Sequence, residues 1–354
     1  MKREKLLATL GGICLILVLA ALSFVGACAK PAPTEVIELT FSHFTSAKSN
    51  TQVQIFEPWV KEIEERTNGG VKITIFAGQA LSKAKDQFDH TMMGMSDIGF
   101  SCPQYTPGRF PLSCVSSMPA PGVINGYATA RAISDIVYGF PEVMAEYEGV
   151  HFIGIFCTGP NLFHTKEAVR TMEDLKGMKI RSPGGPANRT LELLGAIPTA
   201  MPFPEIYNAL ERGVLDGCLL PSETVQPIAL MEVTNYHTLG FSPSQTAFYV
   251  VMNQNTYNSL PRNIQKVFDD LSGDNFADFA GRAWTKFDGE GLDMIKAAGR
   301  EVIILSPEEV ARMREITKPS IAEWAASMNA KGLPGTKLAD EFLRLVEKYS
   351  KEKL

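Results

Sequence analysis

Glu173-Asp174-Leu175-Lys176-Gly177-Met178-Lys179-Ile180-Arg181-Ser182-Pro183-Gly184-Gly185-Pro186 carries three structural signals in fourteen residues. Residues 178–181 read as a short strand. Ser182-Pro183-Gly184-Gly185 reads as a turn, because Pro fixes φ and Gly admits positive φ. Pro186 suits the first turn of a helix over 186–194, with Gly195 as its stop. A strand ending in Arg181 at such a turn places that side chain where α/β proteins put ligand clefts. A guanidinium there is a planar fork matched to a carboxylate. The following helix N-terminus would add N–H donors and a favourable dipole. The same pattern equally fits a surface arginine paired with a local acid.

The rhythm continues on both sides. Upstream, strand patterns cover 36–42, 71–75, 97–100 and 151–156, and helical spacing covers 51–67 and 83–93. Pro58 falls inside the first of these helices and predicts a kink or a delayed start. Downstream, a helix over 204–210, strands at 215–220 and 247–252, and a late strand at 302–305 follow. Ser306-Pro307-Glu308-Glu309 then supplies an N-cap, a Pro at the first helical position and an early acid. Helical spacing persists over 261–298, about 57 Å if continuous, with Gly273, Gly281, Gly289 and Gly291 as candidate breaks. Alternating strands and helices predict an α/β protein with sheets flanked by helices.

The N-terminus carries a different message. Lys2, Arg3 and Lys5 precede an apolar run that ends Val25-Gly26-Ala27-Cys28. Small residues before a cysteine resemble a bacterial lipoprotein signal, with residues 1–27 removed and Cys28 lipid-modified. An uncleaved membrane anchor and an ordinary signal peptide are the competing readings. Residues 28–35, small and Pro-rich, suit a tether. Removing 27 of 354 residues leaves 327, enough for two α/β lobes, and shifts the net charge from −5 to near −7. An acidic surface argues against a nucleic-acid partner, although one basic pocket can still hold an anion. Cys102, Cys114, Cys157 and Cys218 remain, without a C-x-x-C pair. A Cys102–Cys114 disulfide or four buried thiols both fit.

No H-E-x-x-H, G-x-S-x-G, P-loop or G-x-G-x-x-G is present. His43, His90, His151, His164 and His237 lack ligand spacing. Neither a metal site, a cofactor site nor a catalytic constellation is expected. No second long apolar span follows residue 25, so the chain is not itself a permease.

Asp174 to Arg181 resembles the signature segment of the solute-binding subunits of tripartite ATP-independent periplasmic (TRAP) transporters. Other pieces agree in order: Phe41-Ser42-His43-Phe44, Arg66 to Phe76, Tyr105, Pro107 to Leu112, Phe163-His164-Thr165, Pro204-Glu205-Ile206-Tyr207-Asn208-Ala209-Leu210 and Gly213 to Gly217. The likeness covers most of residues 36–300. It implies a two-lobed periplasmic-binding-protein-like fold, with mixed sheets and a long helix spanning both lobes. Lobe I would comprise 36–158 plus 247–287, and lobe II 159–246 plus 288–354.

It further implies a non-enzymatic, extracytoplasmic receptor that closes on an organic acid and delivers it to a TRAP membrane permease, while the lipid expected at Cys28 would anchor it to a membrane. Arg181 would clamp the carboxylate and Phe203 would line the pocket. His43 and Phe44 come from the first strand and loop. Two positions depart from relatives that bind sialic acid or dicarboxylates. Asn161 stands where those carry a second ligand arginine, and Leu220 where they carry a ligand-contacting Asn. Both changes remove polarity, which predicts a monocarboxylate with an apolar or aromatic part. Arg109 or His43 could instead restore the missing polarity. A receptor for another transporter or a sensor, and an exported hydrolase or lyase, are the alternative functions.

Overall fold

Two mixed sheets form the core, with several central strands buried along their whole length and partly exposed edge strands. The computed structural model describes residues 36–120, 123 and 125–352. The signal 1–27, Cys28 and the tether 28–35 lie outside the described residues. The strands are β1 (Ile37–His43), β2 (Val71–Phe76), β3 (Ile98–Ser101), β4 (Val150–Cys157), β5 (Leu162–Thr165), β6 (Lys179–Ser182), β7 (Ile197–Ala200), β8 (Gly217–Leu220), β9 (Tyr236–Leu239), β10 (Ala247–Asn253) and β11 (Glu301–Ile304). The first sheet has the order β2-β1-β3-β10-β4 and the second β11-β9-β5-β8-β6-β7. β1 runs parallel to β3, whereas β10 is antiparallel to both β3 and β4. In the second sheet β6 is parallel to β7 and β8, and β5 is antiparallel to β8 and β9.

Strand alternation sorts the second sheet into two faces. Ile180 and Leu219 enter one core with Phe163, Leu191 and Met313. Cys218 and Leu220 enter the other with Ile206, Leu210 and Ile295. Arg181 pairs with Cys218 and so shares that second face. Gly217 permits the close approach of β5 and β6, since a Cβ there would lie 2.6 Å from Thr165 Cγ2 and 2.7 Å from the His164 carbonyl.

The two sheets are joined by neighbouring chain segments. β4 leads to β5 through 158–161, and 242–246 leads back to β10. The Thr158 N–H donates to the Thr246 carbonyl at 2.9 Å, and the Thr246 N–H to Thr158 Oγ1 at 3.1 Å. The expected long helix is two helices, Arg262–Asp270 and Gly273–Ala297. Gly273 breaks it, at φ +61°. Gly281 and Gly291 lie inside the second helix as close-packing points, against Ala130 and Tyr127 and against Ser222 and Glu223 respectively. That helix therefore touches elements of both sheets along about 38 Å.

Other expectations shift. The helix expected over 51–67 starts as a π-helical turn, Gln52–Phe56, before Glu57–Arg66. Pro58 sits at the junction of the two, one residue into the α-helical part. Helices Gly126–Gly139 and Gly335–Ser350 escaped the periodicity reading. The second corrects the lobe division, which assigned 288–354 to lobe II. Leu338, Phe342 and Tyr349 bury themselves in the first sheet's core with Tyr127, Ile133 and Tyr249. Cys102, Cys114, Cys157 and Cys218 are free thiols. Among the described residues no helix is long and apolar enough to cross a membrane, and no cluster of three or more His, Cys, Asp or Glu could hold a metal ion.

Candidate functional site

Arg181 is 1% exposed. The apolar alternation of β6 explains its direction: Ile180 fills one core, so the next side chain points to the opposite face. Three neutral oxygens hold the guanidinium. Nε donates to the Met201 carbonyl at 3.0 Å, Nη1 to the Leu219 carbonyl at 3.2 Å and Nη2 to the Tyr105 hydroxyl at 3.3 Å. Among the described residues no carboxylate lies within ion-pair distance of it. A guanidinium has five N–H donors. Two remain, one on each terminal nitrogen, which is the arrangement a carboxylate takes bidentately.

Arg181 lines a cavity of about 470 Å³, measured between atoms with its mouth included. Phe44, Phe203, Phe248, Trp284 and Leu220 make it apolar, while Thr45, Ser49, Thr158, Thr224 and Thr246 supply hydroxyls. Phe44 packs on Phe248 with centroids 6.3 Å apart, and Phe248 on Trp284 at 5.6 Å. The buried Trp284 indole N–H has no acceptor among the described residues. The lining comes from both sheets. Phe44 follows β1, Phe248 lies on β10, Arg181 lies on β6, Leu220 ends β8, and Trp284 comes from the long helix.

Tyr105 ties these parts together. Its hydroxyl accepts from Arg181 and from the Phe203 N–H at 3.1 Å. Both contacts use the oxygen's lone pairs, so its own O–H is free to donate. Burial pushes this phenol up to about 12, which keeps the proton in place.

Of the six pocket residues expected from sequence, Arg181, Phe203, Leu220 and Phe44 meet on this cavity. Asn161 and His43 do not. Asn161 lies in the segment joining β4 to β5, where its Nδ2 donates to Ser244 Oγ at 3.1 Å and its N–H to Ser242 Oγ at 3.0 Å. It fixes the crossing between the sheets. His43 points to the opposite side of β1 from Phe44. Its Nε2–H donates to Gln52 Oε1 at 2.5 Å, and Nδ1 accepts from Thr45 Oγ1 at 3.0 Å. Burial lowers its pKa to about 4, so it is neutral. Arg109 is also elsewhere, paired with Asp89 at 3.4 Å and lying over the Phe88 ring. The helix N-terminus after Arg181 turns away as well, and Gly184, Gly185 and Pro186 line a separate groove beside Cys114.

Tyr105, Glu223, Phe248 and Trp284 were not selected as site residues from sequence. Tyr105 fell inside a recognised segment. No local signal marks the other three, which reach the cavity only through tertiary packing.

Residues 41–327 match the family model described as bacterial extracellular solute-binding protein, family 7 (DctP). Several solved structures are similar throughout. A TRAP solute-binding protein from Rhodoferax ferrireducens T118, solved with copurified benzoate, is 28% identical with a TM-score of 0.85, covering 89% of this chain and 99% of that one. A marine metagenome TRAP solute-binding protein specific for aromatic acid ligands, solved with metahydroxyphenylacetate, is 31% identical with a TM-score of 0.85, covering 89% and 100%. A TRAP periplasmic solute-binding protein from Bordetella bronchiseptica, solved with (R)- and (S)-mandelate, is 28% identical with a TM-score of 0.81, covering 88% and 99%.

Proposed function

The chain belongs to bacterial extracellular solute-binding protein family 7, the DctP-type solute-binding proteins of TRAP transporters, and on that premise we propose that it captures an aromatic monocarboxylate in the cleft around Arg181. The observation that carries this reading is the buried guanidinium, with two unspent N–H donors and no anionic partner, inside an aromatic cavity. A buried cation is costly when uncompensated, so an entering carboxylate gains more there than at the surface. The rings of Phe44, Phe248, Trp284 and Phe203 on the cavity wall favour an aromatic body over a strongly hydrated one.

Selectivity against dicarboxylates follows from the same walls. Arg181 is the only cationic side chain lining the cavity among the described residues. A second carboxylate would find no second cation, only neutral donors, and would be set against the Glu223 carboxyl, which costs binding energy. The similar proteins solved with benzoate, metahydroxyphenylacetate and mandelate support the aromatic assignment.

In this reading the protein binds its acid without turning it over. Closure of the two sheets on the acid prepares the complex for a TRAP membrane permease. Lipid at Cys28 keeps the receptor at the membrane surface, with residues 28–35 as its tether. Calorimetry on the full chain in detergent, with benzoate and mandelate against succinate and malate, tests the ligand class. The aromatic acids should bind at least about tenfold more tightly. Clear preference for the C4-dicarboxylates would overturn the assignment.

A further inference from the structure

Glu223 is the second charged side chain on the cavity, and nothing in the carboxylate clamp uses it. It is 6% exposed. It follows β8 and Pro221 in the short 3-10 turn Ser222–Val225. That turn is fixed on both sides. Ser222 Oγ donates to the Asp288 carbonyl at 2.7 Å, and Thr224 Oγ1 to the Pro221 carbonyl at 2.6 Å. Gly291 lets the long helix approach, since a Cβ there would stand 2.4 Å from Ser222 O and 2.6 Å from Glu223 N. The carboxyl held in this way is poorly satisfied. Its recorded hydrogen bond is a long one, 3.4 Å from Asn50 Nδ2 to Oε2. Among the described residues no Lys, Arg or His lies within ion-pair distance of it. A buried carboxyl needs donors, and the neighbouring Asp288 brings another acid instead of a base.

We propose that Glu223 is a specificity-determining acceptor for a ring hydroxyl on the bound acid, so that the site prefers hydroxylated aromatic monocarboxylates to unsubstituted ones. This rests on the aromatic-monocarboxylate reading above. One end of the solute is fixed by the two free donors of Arg181. A hydroxyl placed elsewhere on the ring then supplies the donor that Glu223 lacks. A second carboxylate has no donor to offer and repels the ionised form. Burial pushes the Glu223 carboxyl up to about 7, and it accepts a hydrogen bond in either protonation state.

The test is calorimetry on the full chain in detergent with benzoate, 3-hydroxybenzoate, 4-hydroxybenzoate and 4-(aminomethyl)benzoate. The wild type should bind at least one hydroxybenzoate about 10-fold or more tightly than benzoate, as a hydrogen bond to a charged group implies. In Glu223→Leu that ratio should fall below about threefold. Glu223→Gln, which keeps the volume and one acceptor oxygen, should lose several-fold of it and covers the case that the Leu variant does not fold. A wild type that binds benzoate and both hydroxybenzoates equally would overturn the proposal while sparing the monocarboxylate reading. Persistence of the preference in both variants would overturn it too. Tightest binding by the aminomethyl compound would replace the hydroxyl with a cation. If none of the four binds, the ligand class itself is wrong and this inference falls with it.

Discussion

Replacing Arg181 by Lys keeps the charge and removes the fork. The guanidinium spends three donors on Met201 O, Leu219 O and Tyr105 Oη, and keeps one on each terminal nitrogen for a ligand. An ammonium has three donors on a single atom. If it satisfies even two of the fixed oxygens, one donor remains for the carboxylate. The bound acid then loses one charge-assisted hydrogen bond, worth about 1.5–3 kcal/mol. At about 1.4 kcal/mol per decade this is a roughly 10- to 150-fold rise in Kd. Calorimetry with benzoate measures it directly. Thermal unfolding without ligand separates it from misfolding, and should move by only a few degrees. A Kd within threefold of wild type, in a folded variant, would refute the bidentate geometry and remove Arg181 as the clamp.

Three further outcomes are expected. Glu223→Gln should change the pH dependence of stability. The native carboxyl keeps its proton up to about 7, against 4.5 for the ordinary value, so the native state binds more protons in that window. Wild-type stability contributed by this group is therefore present below 4.5 and lost as pH rises through 7, by about 3 kcal/mol at most. The stability of the Gln variant relative to wild type, from urea unfolding, should rise between pH 4.5 and pH 8; a constant difference contradicts the burial of that carboxyl. Gly291→Ala should destabilise by about 1–3 kcal/mol through overpacking, because its Cβ would press on the Ser222–Glu223 backbone; unchanged unfolding would show that the turn gives way freely. Cys28→Ala should move the protein from the membrane to the soluble fraction with the benzoate Kd unchanged; retention at the membrane would refute lipid attachment there.

The segment around Arg181 was legible because it stacks strand, turn and helix signals on consecutive residues. Its side-chain direction was legible too, since Ile180 is apolar and the next residue must face the other way. The long helix was overestimated. Its spacing runs through Leu271 and Ser272, and only the positive φ of Gly273 shows which of four glycines interrupts it. Helix Gly126–Gly139 was hidden for the opposite reason: ten of its residues are buried, and only the narrow stripe of Arg131, Asp135 and Tyr138 is left to give a period. The site was half legible. Arg181, Phe203, Leu220 and Phe44 come from recognisable local patterns. Asn161 illustrates the limit, because aligned position placed it near ligand and its own hydrogen bonds place it at the crossing. Glu223 is one acid among 39 acidic residues, and only the close approach allowed by Gly291 distinguishes it.

The Tyr105 hydroxyl has a consequence for how a solute is drawn in. Tyr105 follows β3 of the first sheet, while Met201 and Leu219, the other two acceptors of Arg181, belong to the second. Parting the sheets takes Tyr105 away and leaves Met201 and Leu219 in place. The guanidinium then has three unspent donors where it had two. In the open cleft water satisfies all three, so the demand for an anion rises as the closing walls remove that water and return the third donor to Tyr105. Under the proposed clamp, admitting a solute and holding it would be separate duties of one arginine, divided by the exchange of one partner.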